Sequence, residues 1–357
     1  MTISSDDVAI IGFAQAPNVR ATQGTTNGVE MLVPIFHDVL RATGLTTSDV
    51  DFWCSGSSDY LAGRAFSFIA AVDAIGAVPP IDESHVEMDA AWALYEAWVK
   101  IRTGAADTAL VYGFGKSSAG RLPRVLALQL DPYTVGPLWP DSMSVAGLQA
   151  RCGLDAGLWS ERDMAEVAAR NSASAVHNPA AQRSDTADVD TLLSRPYVAD
   201  PLRAHDCAPI TDGAAAVVLA SAGRARELCA RPAWITGFEH RVDSPSLGGR
   251  DLTDITSARA AARAAGVDTA GVDVAELHAP FSHQELLLRT ALGLGDDVDV
   301  NPSGGVLAGN PMFAAGLARI GEAAARVMTG EAGRALGHAT SGPALQQNLV
   351  CVVEGRS

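Results

Sequence analysis

The sequence predicts an α/β fold built from two similar halves, with a segment inserted in the first. Three observations carry this. Short apolar runs that read as strands lead into longer runs that read as helices. Three segments recur in the same order along the chain, and an internal repeat outranks any single motif as an indicator of fold. A proline-rich stretch then breaks the repeat once, near the middle.

Taken in order, Val8–Phe13 (VAIIGF) opens the first half and Ala233–Phe238 (AWITGF) the second. A helical stretch follows each, and then a matched turn and strand: ATGLTTSDVDF at 42–52 and AAGVDTAGVDV at 264–274. Gly44 and Gly266 are the expected helix terminators, since glycine adopts the left-handed conformation cheaply. The third match is a pair of alanine-rich helices, 90–104 and 316–330, both ending in Thr-Gly. Each is expected to precede a strand: Thr108–Phe114 in the first half and, after a longer loop, Leu349–Glu354 in the second. Residues 117–204 form the insertion, with proline-rich turns (LDPYTVGPLWPD) and a helix opened by Ser160 with Asp163 three residues on. An insertion on a rigid scaffold commonly shapes a pocket. The chain returns through DCAPITDGAAAVVLAS at 206–221. The expected division is 1–116 plus 205–230, 117–204 as the inserted loop domain, and 231–357.

With 357 residues, 48% hydrophobic and 19% charged, the chain is long and apolar enough for a large core. A net charge of -15 argues against a nucleic-acid partner. An anionic ligand therefore requires a local basic pocket. Arg121 and Arg124 in the insertion are candidates for it, with solvated surface as the simpler reading. No membrane span is expected, because the apolar stretch from Ala65 to Ile81 is broken by Asp73 and Pro79-Pro80. The acidic opening MTISSDDVAIIGF lacks a basic export segment, and five cysteines without metal or disulfide spacing suit a reducing compartment. The expectation is a cytoplasmic protein with no metal, its cysteines acting as small buried hydrophobes.

One stretch points to chemistry. In VAELHAPFSHQELL (274–287) an apolar strand delivers His278 into a loop, where ligands of α/β proteins bind. Its plain reading is a histidine bonded to a backbone carbonyl. His283 reads as helix surface.

Longer motifs resemble a known family. NPAAQR (178–183), SRPYVADPLR (194–203), DCAPITDGAAAVV (206–218), NPSGG (301–305) and GFGKSS (113–118) are similar to the sterol-carrier-protein-X type of the thiolase superfamily. The likeness covers nearly all of the chain. It implies a thiolase fold: two duplicated βαβαβαββ halves in a five-layer αβαβα arrangement, with an inserted loop domain. The narrower resemblance is to actinobacterial thiolase-like lipid-transfer proteins of the steroid side-chain acyl-CoA aldolase group. That likeness implies an acyl-CoA substrate, a second thiolase-like chain in a homo- or heterodimer formed through the first halves, and an OB-fold acyl-CoA-binding partner.

The chain departs from a working thiolase at its chemistry. Glu87 stands at the position of the family's nucleophilic cysteine, and no cysteine lies between Cys54 and Cys152. The family's Gly-His-Pro reads Gly309-Asn310-Pro311, and its acid/base cysteine falls in HATSGPALQQN (338–348), which offers Thr340 or Ser341. Loss of a covalent nucleophile costs roughly 10⁶ in turnover, so Claisen chemistry through an acyl-enzyme is not expected. His278 matches the element that holds the thioester enolate oxygen. The companions have plain readings beside the chemical ones. Glu87 is a general base or an ion-pair partner, Asn310 an oxyanion donor or a helix cap, His338 an acid/base or loop surface, and Asp89 a helix N-cap.

The expected function is a retro-aldolase that cleaves a β-hydroxyacyl-CoA with a steroid or other lipid skeleton. It would need no cofactor, with a CoA thioester as substrate. The alternative is a non-catalytic or half-site subunit of a thiolase-like hetero-complex, whose partner supplies the tyrosines that related aldolases place near this histidine. Here Tyr60, Tyr95, Tyr112, Tyr133 and Tyr197 all fall in the first half or the insertion. A true acyltransferase ranks third.

Overall fold

The computed structural model describes residues 4, 6–22, 28–59, 66–76, 80–267 and 271–356. Tyr60 and residues 268–270 of the second matched turn lie outside the described residues. The first half supplies β1 (Val8–Gln15), α1 (Val29–Thr43), β2 (Phe52–Gly56), β3 (Asp82–Val86), α2 (Ala90–Arg102) and β4 (Thr108–Gly115). The insertion carries α3 (Ser142–Asp155) and α4 (Glu161–Ala175), after which β5 (Gly213–Ser221) and α5 (Ala222–Leu228) complete the half. The second half runs β6 (Ala233–Val242), α6 (Thr256–Ala264), β7 (Val274–Glu276), α7 (Ser282–Leu292), β8 (Asp299–Val300), α8 (Ala315–Thr329), β9 (Arg334–Ser341) and β10 (Gln347–Gly355).

These ten strands hydrogen-bond in the order β8-β7-β9-β10-β6-β1-β5-β4-β2-β3. Read outward from the centre, the two halves have the same order: β1-β5-β4-β2-β3 and β6-β10-β9-β7-β8. Their pairing sense also matches. β4, β2 and β3 are parallel to one another, as are β9, β7 and β8, and the remaining pairs are antiparallel. The halves join at β1 and β6 through only two residue pairs, Ala9 with Trp234 and Ile10 with Ala233.

Period-two alternation decides which core each strand residue enters. Ala109 and Val111 of β4 enter the central core with Val217 and Leu219 of β5, while Leu110 and Tyr112 enter an outer one with Val218. The central core also takes Leu349, Cys351 and Val353 of β10, together with α2 and α8. Both helices are therefore buried between the half-sheets. Helices α1 and α5 cover one outer face, and α6 and α7 the other. The result is the five-layer α/β arrangement expected of a thiolase fold. No helix among the described residues is long and apolar enough to cross a membrane.

The central layer explains the small residues of its helices. A Cβ on Gly316 of α8 would lie 2.5 Å from the Cβ of Ala339 in β9, so only glycine admits this approach. The same crowding hid β9 from sequence reading. Its sequence, RALGHATS, has few residues that favour strands, and the stretch from His338 was expected to be loop. It is a buried strand, and it is the counterpart of β4. The expected counterpart, at Leu349–Glu354, falls within β10, which corresponds to β5 instead.

Candidate active site

A cavity of about 180 Å³ opens where the C-terminal ends of β7 and β9 meet the N-termini of α2 and α8. Residues of the insertion wall one side, among them Leu126, Leu130, Val145 and Ala146; Phe281 and Phe313 add apolar surface from the second half. His278, Asn310, Asp89, Thr340 and Ser341 belong to its polar lining, with Gln129, Ser142 and Gln284.

His278 follows β7 and is 6% exposed. Its Nδ1 accepts a long hydrogen bond, 3.5 Å, from the Thr340 backbone N–H at the end of β9. That contact leaves the ring proton on Nε2. Burial, with help from the nearby His338 and Arg319, pushes the His278 pKa down to about 3. At neutral pH it is a neutral N–H donor.

Asn310 is held by its backbone, which donates to Pro209 O and accepts from Thr211 N–H. It does not cap a helix, because α8 begins at Ala315 with Ala314 as its N-cap. Its side chain is 3% exposed, lines the cavity, and has a buried amide atom, Oδ1, without any partner. A buried amide oxygen left unpaired costs about 1–3 kcal/mol, which a ligand group that donates a hydrogen bond would recover.

Asp89 caps α2 as its sequence position suggests, and it does more than that. Oδ1 accepts from Ala91 N–H at 2.9 Å in its own helix and from Leu317 N–H at 3.1 Å in α8, while Oδ2 accepts from Gly316 N–H at 2.9 Å. One carboxylate thus faces the N-termini of both central helices, where backbone dipoles favour an anion. Burial raises its pKa above the ordinary carboxylate range, against the pull of the three N–H donors. The close approach depends on Gly316, where a Cβ would lie 2.7 Å from Asp89 Oδ1.

The other candidate residues divide. Ser341 lies in the cavity wall with Thr340, whose Oγ1 donates to Gln347 O at 2.8 Å. Glu87 lies outside it: its side chain is 56% exposed and stands 3.4 Å from His85. Only Met88 separates it from Asp89, where the chain turns from β3 into α2, and Asp89 is the one that faces inward. His338 is fully buried in β9 and not on a loop surface, with Nε2 3.0 Å from Asn348 Oδ1. Burial brings its pKa to about 4, and it does not line the cavity. His283, expected on a helix surface, is also fully buried, 3.3 Å from Gln149 Oε1. Here α7 is covered by α3 of the insertion. Arg121 and Arg124 are exposed and outside the cavity.

No cysteine lines the cavity. Cys54 and Cys351 are buried in the central core, and burial raises both thiols. Cys207 is pushed up to about 12. The backbone is strained where the wall closes: Phe313, Ala344 and Leu345 hold left-handed φ values of 70°, 53° and 58°. Such conformations cost about 1–3 kcal/mol each and concentrate at functional sites. The Gly-Phe-Gly at the end of β4 admits the strained loop, since a Cβ on Gly113 would lie 2.5 Å from Phe313 O.

No family model matches the chain. It is 34% identical over 194 residues to an acetyl-CoA acetyltransferase of Methanothermobacter thermautotrophicus, a stretch covering 48% of this chain and 50% of that protein. It is 29% identical over 284 residues to sterol carrier protein 2 of Homo sapiens, covering 68% of this chain and 51% of the relative. A third relative, an acetyl-CoA acetyltransferase of Methanocaldococcus jannaschii, is 28% identical over 353 residues, or 88% of each chain. The match thus spans about half the length of the first two relatives and most of the third. By its fold and by these relatives the chain is thiolase-like, and the relatives support a place for it in the thiolase superfamily.

Proposed function

We propose that this chain acts on a CoA thioester and cleaves the carbon–carbon bond of a β-hydroxyacyl-CoA by a retro-aldol reaction, without an acyl-enzyme. The observation that carries this reading is the lining of one cavity by His278, Asn310 and Asp89 where no thiol is present. Asp89 takes the proton of the β-hydroxyl as the bond to the α-carbon breaks. The hydroxyl carbon leaves as a ketone or aldehyde. The electron pair passes to the thioester enolate, whose oxygen accepts from His278 Nε2–H and the Asn310 amide. The proton on Asp89 then returns to the α-carbon, which balances the reaction. A carboxyl held above its ordinary range is the better base, and neutral donors act where charge develops. The apolar wall suits a lipid skeleton, with bulky rings extending outward past Leu126 and Leu130.

A second reading is a subunit that pairs with another thiolase-like chain or an OB-fold partner. Exposed apolar side chains on the insertion favour it: Leu128 is 60% exposed, Tyr133 90% and Leu138 79%.

The test is intact-mass analysis after incubation with acyl-CoA, beside a cleavage assay on β-hydroxyacyl-CoA thioesters. The expected result is carbonyl product with no covalent adduct. A stable acyl group on any cysteine, or acetyl transfer between two acetyl-CoA molecules, would overturn the proposal.

A further inference from the structure

A second cavity, of about 170 Å³, opens between α4, the segment around Arg183 and Asp185, and the turn at 204–206. Its lining includes Arg183, Arg195 and His205. In a chain of net charge -15, two arginines lining one cavity call for an explanation. His205 is 7% exposed, and neither ring nitrogen has a hydrogen-bond partner. Its neighbour Asp206 approaches to 3.5 Å, but that carboxylate already accepts from Ser282 Oγ at 2.6 Å and from Arg203 N–H at 2.8 Å. Arg203 itself is neutralised by Glu161 at 2.6 Å.

The two lining arginines are not neutralised in this way. Arg183 donates Nη1 to the Ala204 and Cys207 carbonyls at 3.3 and 3.0 Å and forms no ion pair among the described residues. The Arg195 backbone accepts from Arg203 Nε and donates its N–H to Leu192 O, while its guanidinium meets no acceptor among the described residues. Burial and the charges of Arg195, Arg203 and Arg183 together hold the His205 pKa down, against Asp206. The one acid in the lining, Asp185, sits exposed at the rim. Its Oδ1 accepts from Ala187 N–H at 3.2 Å and Ser172 Oγ at 3.5 Å.

We propose that this second cavity binds a phosphate group, gripped by Arg195 and Arg183 with His205 at its floor. Guanidinium forks match phosphate oxygens two at a time, and an unpaired buried imidazole gains a partner when the anion enters. The site stands apart from the retro-aldol reading, because none of its lining residues lines the first cavity.

The test is calorimetric titration of the intact chain with inorganic phosphate at constant ionic strength, repeated with CoA and 3′-dephospho-CoA as competitors. Saturable phosphate binding is expected, weakened at least about tenfold in Arg195→Gln and partly restored in Arg195→Lys. If CoA displaces phosphate and dephospho-CoA does not, the bound group is the 3′-phosphate of CoA. If neither displaces it, the site takes free phosphate. Absence of saturable binding, or equal affinity in Arg195→Gln, overturns the proposal.

Discussion

His278 and Asp89 carry opposite assignments in the proposed chemistry, and each has a substitution that isolates it. The His278 imidazole is a neutral donor whose removal leaves the packing of Val274, Ala275 and Leu277 in place. His278→Ala should therefore fold with a normal circular-dichroism spectrum while turnover falls by roughly 10²–10³, the usual cost of one oxyanion donor. Near-normal turnover would remove the residue from the mechanism. Asp89 is different, because its three N–H donors make it structural as well. Asp89→Asn keeps the volume but turns an amide NH₂ toward N–H groups. It should lose roughly 1–3 kcal/mol of stability by urea denaturation. Activity, measured where the variant is still folded, should fall by at least about 10², the lower range for general-base loss. A variant that is less stable yet fully active would reduce Asp89 to a cap.

Among the elements, α2 and α8 decide the site, because their N-termini meet at one carboxylate. Gly316 is the contact that allows it, set against Ala339 of β9 and Asp89 of the other half. Gly316→Ala adds one methyl to a layer with no room. Despite alanine's better helix propensity, overpacking should win and destabilise by roughly 1–3 kcal/mol. The denaturation midpoint is the measurement, and an unchanged or higher midpoint would show that the layer relaxes. The helix caps of the repeat were readable in advance: Gly44 and Gly266 hold φ values of 72° and 76°, and Ser160 with Asp163 forms the capping box of α4. These signals are local. Strand β9 was not readable, because its residues were chosen by the helix packed across it.

For the molecule as a whole, burial of histidines sets a pH dependence. His278, His283 and His338 have folded pKa values of about 3, 3 and 4 against an ordinary value of 6.5. Below about 6.5 the unfolded chain takes up protons that the folded chain refuses, so the stability present at neutral pH is lost as pH falls toward these values. Each histidine contributes roughly 1.4 kcal/mol per pH unit in that window. The buried carboxyls of Asp89 and Glu322, raised by burial, act in the opposite sense. A single replacement is therefore the cleaner comparison. His283→Gln, outside the first cavity, should lower the slope of stability against pH between 7 and 5.5 by about the contribution of one histidine. Parallel pH profiles for the two proteins would show that His283 takes up its proton alike in the folded and unfolded chain.

By itself the sequence determined the duplicated α/β plan, the helix caps, and His278 at a strand end. Each rests on neighbours close in sequence or on a repeat visible along it. Tertiary structure alone decided which polar residues share the cavity. A single residue, Met88, separates Glu87 in solvent from Asp89 in the site, and no local pattern distinguishes them until α2 is seated against α8. His283 read as surface because α3, the element that buries it, comes from a distant part of the chain, and His338 because β9 was not legible as a strand. Burial and charge pairing are properties of contacts across the fold, so they set the chemistry only once the two halves have closed on each other.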